Sequence, residues 1–173
     1  MKATLEAINR MQADGVIEKY AIGGAVGATL YLEPAATLDV DIFVTLPAAP
    51  DSLPLTLAPI YEYLKARGGV VRDEHIVIGG WPVQFISPSD DLEREAVAES
   101  LAKEVEGVPT RVMSPEHLVG IALNTGRSKD YIRILQFIEH SAVDRERLES
   151  VLERHGLNSK WRQFESKYLD DIP

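Results

Sequence analysis

The sequence predicts an α/β fold with a helical C-terminal part. Three observations carry that expectation. Short apolar strands alternate with helical patterns through residues 1–110; residues 111–173 carry helical patterns alone; and a Gly23-Gly24 turn sits between a strand and a helix, ahead of an Asp39-Val40-Asp41 triplet inside a second strand. Residues 1–110 read as the α/β core and residues 111–173 as a helical region packed on it.

The chain has 173 residues, 45% hydrophobic and 26% charged, which suffices for one packed domain. It contains no cysteine, so disulfides, thiolate metal sites and cysteine nucleophiles are excluded. The charged N-terminal stretch lacks a signal-peptide pattern, and no window reaches the ~20 apolar residues of a membrane span. These features predict a cytoplasmic protein without a membrane partner. The net charge of −9 is unevenly placed. Residues 1–110 hold 8 Lys/Arg against 17 Asp/Glu, whereas residues 111–173 hold 10 of each. An acidic N-terminal part argues against a broad nucleic-acid surface, but it admits a nucleotide paired with a divalent cation.

Taken in order, residues 3–19 read as a packing helix interrupted at Asp14-Gly15. Tyr20-Ala21-Ile22 reads as a short strand, and residues 25–32 as a small-residue helix stopped by Glu33-Pro34. A strand, a glycine turn and a helix aim backbone N–H groups at an anion, and glycine permits close approach. In the strand over residues 37–44, side chains alternate. Leu38, Val40, Ile42 and Val44 share a core face, and Asp39 and Asp41 share the other, with Cα atoms roughly 6.5–7 Å apart. Two carboxylates on one face repel each other and lose hydration; a hard cation such as Mg²⁺ would offset both effects. The plain alternative is a strand running into solvent with its acids hydrated.

Residues 46–54 form a proline-rich connector and residues 55–67 a helix ended by Gly68-Gly69. Val70-Val71 and Ile76–Ile78 read as short strands around a charged turn that carries His75, taken as a solvated loop histidine. Residues 81–86 read as a strand in which Val83 and Phe85 alternate with Gln84 and Ile86, and residues 90–102 as a helix. Residues 105–113 suggest one more strand. Ser114-Pro115-Glu116 opens a helix that ends at Thr125-Gly126. Further helices start at Arg127–Asp130, at Asp144 and near Ser159; the last carries Trp161, Phe164 and Tyr168, which suit either the core or a second subunit and so leave a homodimer open.

Gly23-Gly24 followed by Asp39-x-Asp41 resembles the nucleotidyltransferase superfamily of the DNA polymerase β type. Val112–Leu118 and Gly126-Arg127-Ser128-Lys129-Asp130 resemble the helical half of bacterial AbiEii-type and related small nucleotidyltransferases, some of them toxin–antitoxin partners. The resemblance spans residues 5–155. It implies a small mixed nucleotidyltransferase sheet flanked by helices, and transfer of NMP from a Mg²⁺-bound nucleoside triphosphate to an acceptor hydroxyl on a small molecule, a protein or an RNA end. It further implies that Gly23 and Gly24 cradle the triphosphate, that Asp39 and Asp41 hold one or two Mg²⁺, and that Arg127, Lys129 and Asp130 serve the nucleotide. The catalytic set would be Asp39, Asp41 and Gln84.

Gln84 is the departure. Its position in chain order is that of the third family carboxylate, yet an amide cannot accept a proton from the attacking hydroxyl. Asp73, Glu74, Asp90 and Asp91 are candidates to stand in, and the spacing selects none of them. An impaired nucleotide-binding protein of the same fold is therefore the second reading, and a structural α/β protein with an incidental Asp pair the third.

Overall fold

The computed structural model describes residues 1–33, 39–47 and 56–169. The elements run α1 (Lys2–Ala13), β1 (Lys19–Ile22), α2 (Gly24–Ala28), β2 (Val40–Thr45), α3 (Ala58–Lys65), β3 (Val70–Arg72), β4 (His75–Ile78), β5 (Trp81–Ile86), α4 (Asp91–Ala98), β6 (Leu101–Val105), β7 (Val108–Val112), α5 (Pro115–Thr125), α6 (Ser128–Glu139), α7 (Arg145–Arg154) and α8 (Asn158–Tyr168). The expected positions of Pro34, Leu38 and most of the proline-rich connector lie outside the described residues. Among the described residues, no helix is long and apolar enough to cross a membrane.

One mixed sheet organises the chain, in the order β3-β4-β5-β2-β1-β7-β6. β2 lies between antiparallel β1 and parallel β5, so the Asp-x-Asp strand is central. The alternation read from the sequence separates two cores. Val40, Ile42 and Val44 join Val83 and Phe85 against Leu5, Ile8 and Met11 of α1 and Ile60 and Leu64 of α3. On the opposite face, Ala21, Phe43 and Met113 pack against α4 to α8. Burying a Leu, Ile or Phe contributes roughly 1.5–3 kcal/mol. A one-residue slip of β2 would reverse both faces at once, which strongly specifies its register.

Helix signals hold where caps are chemical. Asp90 accepts from Glu93 N at 2.8 Å, Ser114 from His117 N at 3.3 Å and Asp144 from Arg147 N at 3.0 Å. Gly126, at φ +72°, ends α5 in the left-handed region. Phe164 is buried, with Trp161 and Tyr168 packed against the same helical core; Tyr131 lies 5.7 Å from the Phe164 ring and 5.5 Å from that of Tyr168.

Two expectations are corrected. The first helix stops at Ala13 rather than continuing to residue 19, because Gly15 turns the chain at φ +73° and Glu18 N already bonds Thr45 O of β2 at 2.8 Å. The helix expected over residues 90–102 ends at Ala98, and Leu101–Val105 is an edge strand. Glu106-Gly107, both at positive φ, turn it back into β7. An exposed edge strand lacks an alternating apolar face, so only that two-residue turn marks it in sequence.

Glu95 ties α4 to α5 and α7. Its carboxylate meets His117 Nε2 at 3.1 Å, Arg154 Nη2 at 2.5 Å and His155 Nε2 at 2.9 Å. The hydrogen bond from Arg154 leads in pulling its pKa down to about 2, with burial opposing and the two histidines assisting. Such a depressed carboxylate stabilises the fold fully above its unfolded pKa of about 4.5, and loses that contribution as pH falls toward 2. The side chain is only 21% exposed, so the span is worth on the order of 2–3 kcal/mol. Urea unfolding should show Glu95→Gln less stable than wild type by about that amount at pH 7, with the gap shrinking as pH drops below 4.5. An unchanged gap at pH 3 would refute the linkage.

Candidate active site

The C-terminal end of β1 and the start of β2 meet at Gly23-Gly24. Gly23 N–H donates to the backbone carbonyl of Asp41 at 2.9 Å, which fixes the turn against the Asp-x-Asp strand. A Cβ on Gly23 would lie 2.7 Å from the Phe43 ring. A Cβ on Gly24 would lie 1.9 Å from Asp41 Oδ2, and Gly24 sits at φ +55°. The glycine pair therefore lets the backbone close over the Asp41 carboxylate, and the first-turn N–H groups of α2 have no partner within their own helix.

Asp41 stands opposite Gln84 in the parallel register of β2 and β5. Both side chains line a cleft of about 250 Å³ together with Gly24, Glu93, Arg127, Asp130 and Arg133. Burial raises the Asp41 pKa first, and the neighbouring Asp39 charge raises it further; Arg133, Lys129 and Arg127 pull the other way. A confined carboxylate beside a second one, faced by cationic side chains, is the arrangement that a cation with an anionic ligand would balance. Asp39 and Asp41 thus fit a hard divalent cation, and the arginines fit the phosphates accompanying it.

Asp130 is 2% exposed. It accepts from Arg127 N at 3.2 Å and from Arg127 Nε at 2.7 Å, while Arg133 Nη1 lies 3.7 Å away. Its carboxylate caps α6 and holds both guanidinium groups at the cleft. Lys129 is exposed and acts on Asp41 through its charge.

Sequence reasoning passed over three residues here. Arg133 follows Asp130 by three positions, a helical i,i+3 pair visible in principle. Glu93 reaches the cleft from α4, its carboxylate accepting from Ser89 N at 2.6 Å and Ser89 Oγ at 2.9 Å. His75 is not a solvated loop histidine: it opens β4 at 29% exposure, with Nε2 3.3 Å from Asp39 Oδ2. The expected stand-ins for the third carboxylate lie elsewhere. Asp90 caps α4, Asp91 pairs with Arg94 at 2.8 Å, and Asp73 and Glu74 form the β3–β4 turn.

Among the described residues, the one trio of His and carboxylate ligand atoms lying within 4.8 Å of one another is Glu95, Glu99 and His117, away from this cleft. Arg154 already neutralises that trio through Glu95, which marks it as a structural ion-pair centre.

The fold of this chain, a mixed sheet with a Gly-Gly turn over a central Asp-x-Asp strand, is shared with solved nucleotidyltransferase structures. The chain resembles ANT(2″)-Ia in a crystal structure with adenylyl-2″-tobramycin, at 17% identity and TM-score 0.55, covering 92% of this chain and 98% of that one. The solution structure of the antibiotic-resistance factor ANT(2″)-Ia matches at 16% identity and TM-score 0.51, covering 96% of each chain. An antigenic nucleotidyltransferase-like protein from Paracoccidioides brasiliensis matches at 16% identity and TM-score 0.61, covering 97% of this chain and 87% of that one. No family model and no curated protein matches the chain. The likeness shows the fold and does not single out the AbiEii-type group.

Gly24→Ala should cost about 2–3 kcal/mol in urea unfolding and disturb Asp41 directly. Gly15→Ala, at φ +73° with nothing within 4 Å of the new Cβ, should cost about 1 kcal/mol from backbone strain alone. Equal costs would show that the Asp41 contact is not what requires glycine.

Proposed function

We propose that the chain is a nucleotidyltransferase that moves NMP from a Mg²⁺-bound nucleoside triphosphate to an acceptor hydroxyl. The observation that carries this reading is the Asp41 carboxylate, enclosed by Gly24, paired in register with Gln84 and faced by Arg127 and Arg133. Asp39 and Asp41 would hold the cation, with Gly23 and Gly24 bringing backbone close to the triphosphate. Arg127 and Arg133, positioned by Asp130, and the exposed Lys129 would meet phosphate oxygens. When bound, the cation supplies charge neutralisation at the phosphoryl oxygens.

In the transfer, the acceptor oxygen bonds to the α-phosphorus, the bond to the β-phosphate bridge breaks and pyrophosphate leaves. The hydroxyl proton must pass to a base, and Gln84 cannot take it. Besides Asp130, which holds the two arginines, Glu93 brings a carboxylate to the cleft, where Ser89 engages it. The acceptor belongs to the class of hydroxyl compounds: a small molecule, a protein side chain or an RNA end. The ANT(2″)-Ia crystal structure holds adenylyl-2″-tobramycin, an adenylylated small molecule, which supports the small-molecule case.

The neutral Gln84 opposite Asp41 favours a second reading, an impaired protein that binds the Mg²⁺-nucleotide without turnover, in a regulatory or toxin–antitoxin-like role. Incubation with α-labelled triphosphates, Mg²⁺ and a native lysate separates the two. Transfer should appear as labelled product with release of pyrophosphate, and Asp41→Ala should reduce it at least about 100-fold. Binding without incorporation, together with activity gained in Gln84→Asp, would establish the second reading. Calorimetry with no nucleotide binding at millimolar Mg²⁺ would defeat both.

A further inference from the structure

Gln84 leaves the expected cation site one anion short, and the adjacent strand places an imidazole beside it. Asp41 on β2 stands opposite Gln84 on β5. β5 and β4 are antiparallel with Val83 opposite Ile76, and that register continues from Gln84 to His75. Residues opposite one another on neighbouring strands point to the same face. Asp41, Gln84 and His75 therefore form a row across three strands, on the face that also carries Asp39 by the alternation of β2. His75 Nε2 lies 3.3 Å from Asp39 Oδ2, at the end of the row away from Gly24.

We propose that His75 is a metal ligand, supplying through Nε2 a nitrogen donor to a cation shared with Asp39, at a site where Gln84 offers only a neutral amide oxygen. This rests on the reading of Asp39 and Asp41 as the cation site. His75 Nε2 and Asp39 Oδ2 hydrogen-bond at 3.3 Å, and two donors bound to one cation at about 2.1 Å lie roughly 3.0–3.4 Å apart, so a cation can replace the shared proton with little movement of either side chain. The side chains are 29% and 40% exposed, so a cation can reach them without unfolding the sheet. An imidazole donor also changes which cation is preferred. Mg²⁺ takes oxygen donors almost exclusively, whereas first-row transition ions accept nitrogen and oxygen together. His75 thus moves the site from Mg²⁺ toward Mn²⁺ or Co²⁺.

The full chain should be loaded with Mn²⁺ and inorganic tripolyphosphate, which contains no nitrogen. Pulsed electron paramagnetic resonance should then detect a directly bound imidazole ¹⁴N in wild type, a readout that needs no variant to fold. His75→Ala should abolish that coupling and weaken Mn²⁺ binding about 10-fold or more. His75→Glu should restore binding while lowering the preference for Mn²⁺ over Mg²⁺. If Asp41→Asn loses Mn²⁺ but wild type shows no imidazole coupling, or the coupling persists in His75→Ala, the assignment of His75 is wrong and the cation site stands. If neither Asp39→Asn nor Asp41→Asn alters Mn²⁺ binding, the cation site itself is wrong.

Discussion

The Asp41 carboxylate sets the terms for the rest of the molecule. It lies where a Cβ of residue 24 would be, on a central strand, beside a second carboxylate. Burial and like charge both disfavour its ionised form, and the chain answers with cations brought from a different part of the sequence. Gly24 at positive φ, the backbone bond from Gly23 to Asp41, and the α6 arginines are each consequences of holding that one group in place.

The two cores serve this constraint differently. α1 and α3 bury one face of β2 and fix its register, so Asp41 and Phe43 must face the C-terminal helices. The helical part then supplies what the sheet lacks. α5 and α6 wall the cleft, and the buried Asp130 turns Arg127 and Arg133 into fixed donors instead of mobile surface cations. Behind them, Glu95 draws α4, α5 and α7 together through three basic partners. A single exposed ion pair contributes little; a carboxylate shared by several donors and largely removed from solvent contributes more, because leaving it unpaired would be costly.

The neighbours with solved structures share the fold at 16–17% identity, which is the level at which sheet order and layer packing persist while individual site residues vary. Gln84 occupies the place on β5 that faces Asp41, and its amide carries no charge. Glu93 from α4 lines the same cleft, and His75 on β4 meets Asp39.

Local sequence determined the features that depend on local physics. The alternation of Val40, Ile42 and Val44 with Asp41 marked both faces of β2; Ser114, Asp90 and Asp144 marked helix starts; Gly126 marked an end; and Gly-Gly before Asp-x-Asp pointed to the fold and to the carboxylate pair. The edge strand β6 escaped because its charged, exposed side chains carry no periodic apolar signal. Only the tertiary structure decided which distant groups meet Asp39 and Asp41. His75 reaches Asp39 because β4 pairs with β5 and β5 with β2, and Arg133 reaches the cleft because α6 docks over the sheet. Strand pairing and helix docking bring together residues 36 and 92 positions apart, and no spacing rule along the chain encodes such distances.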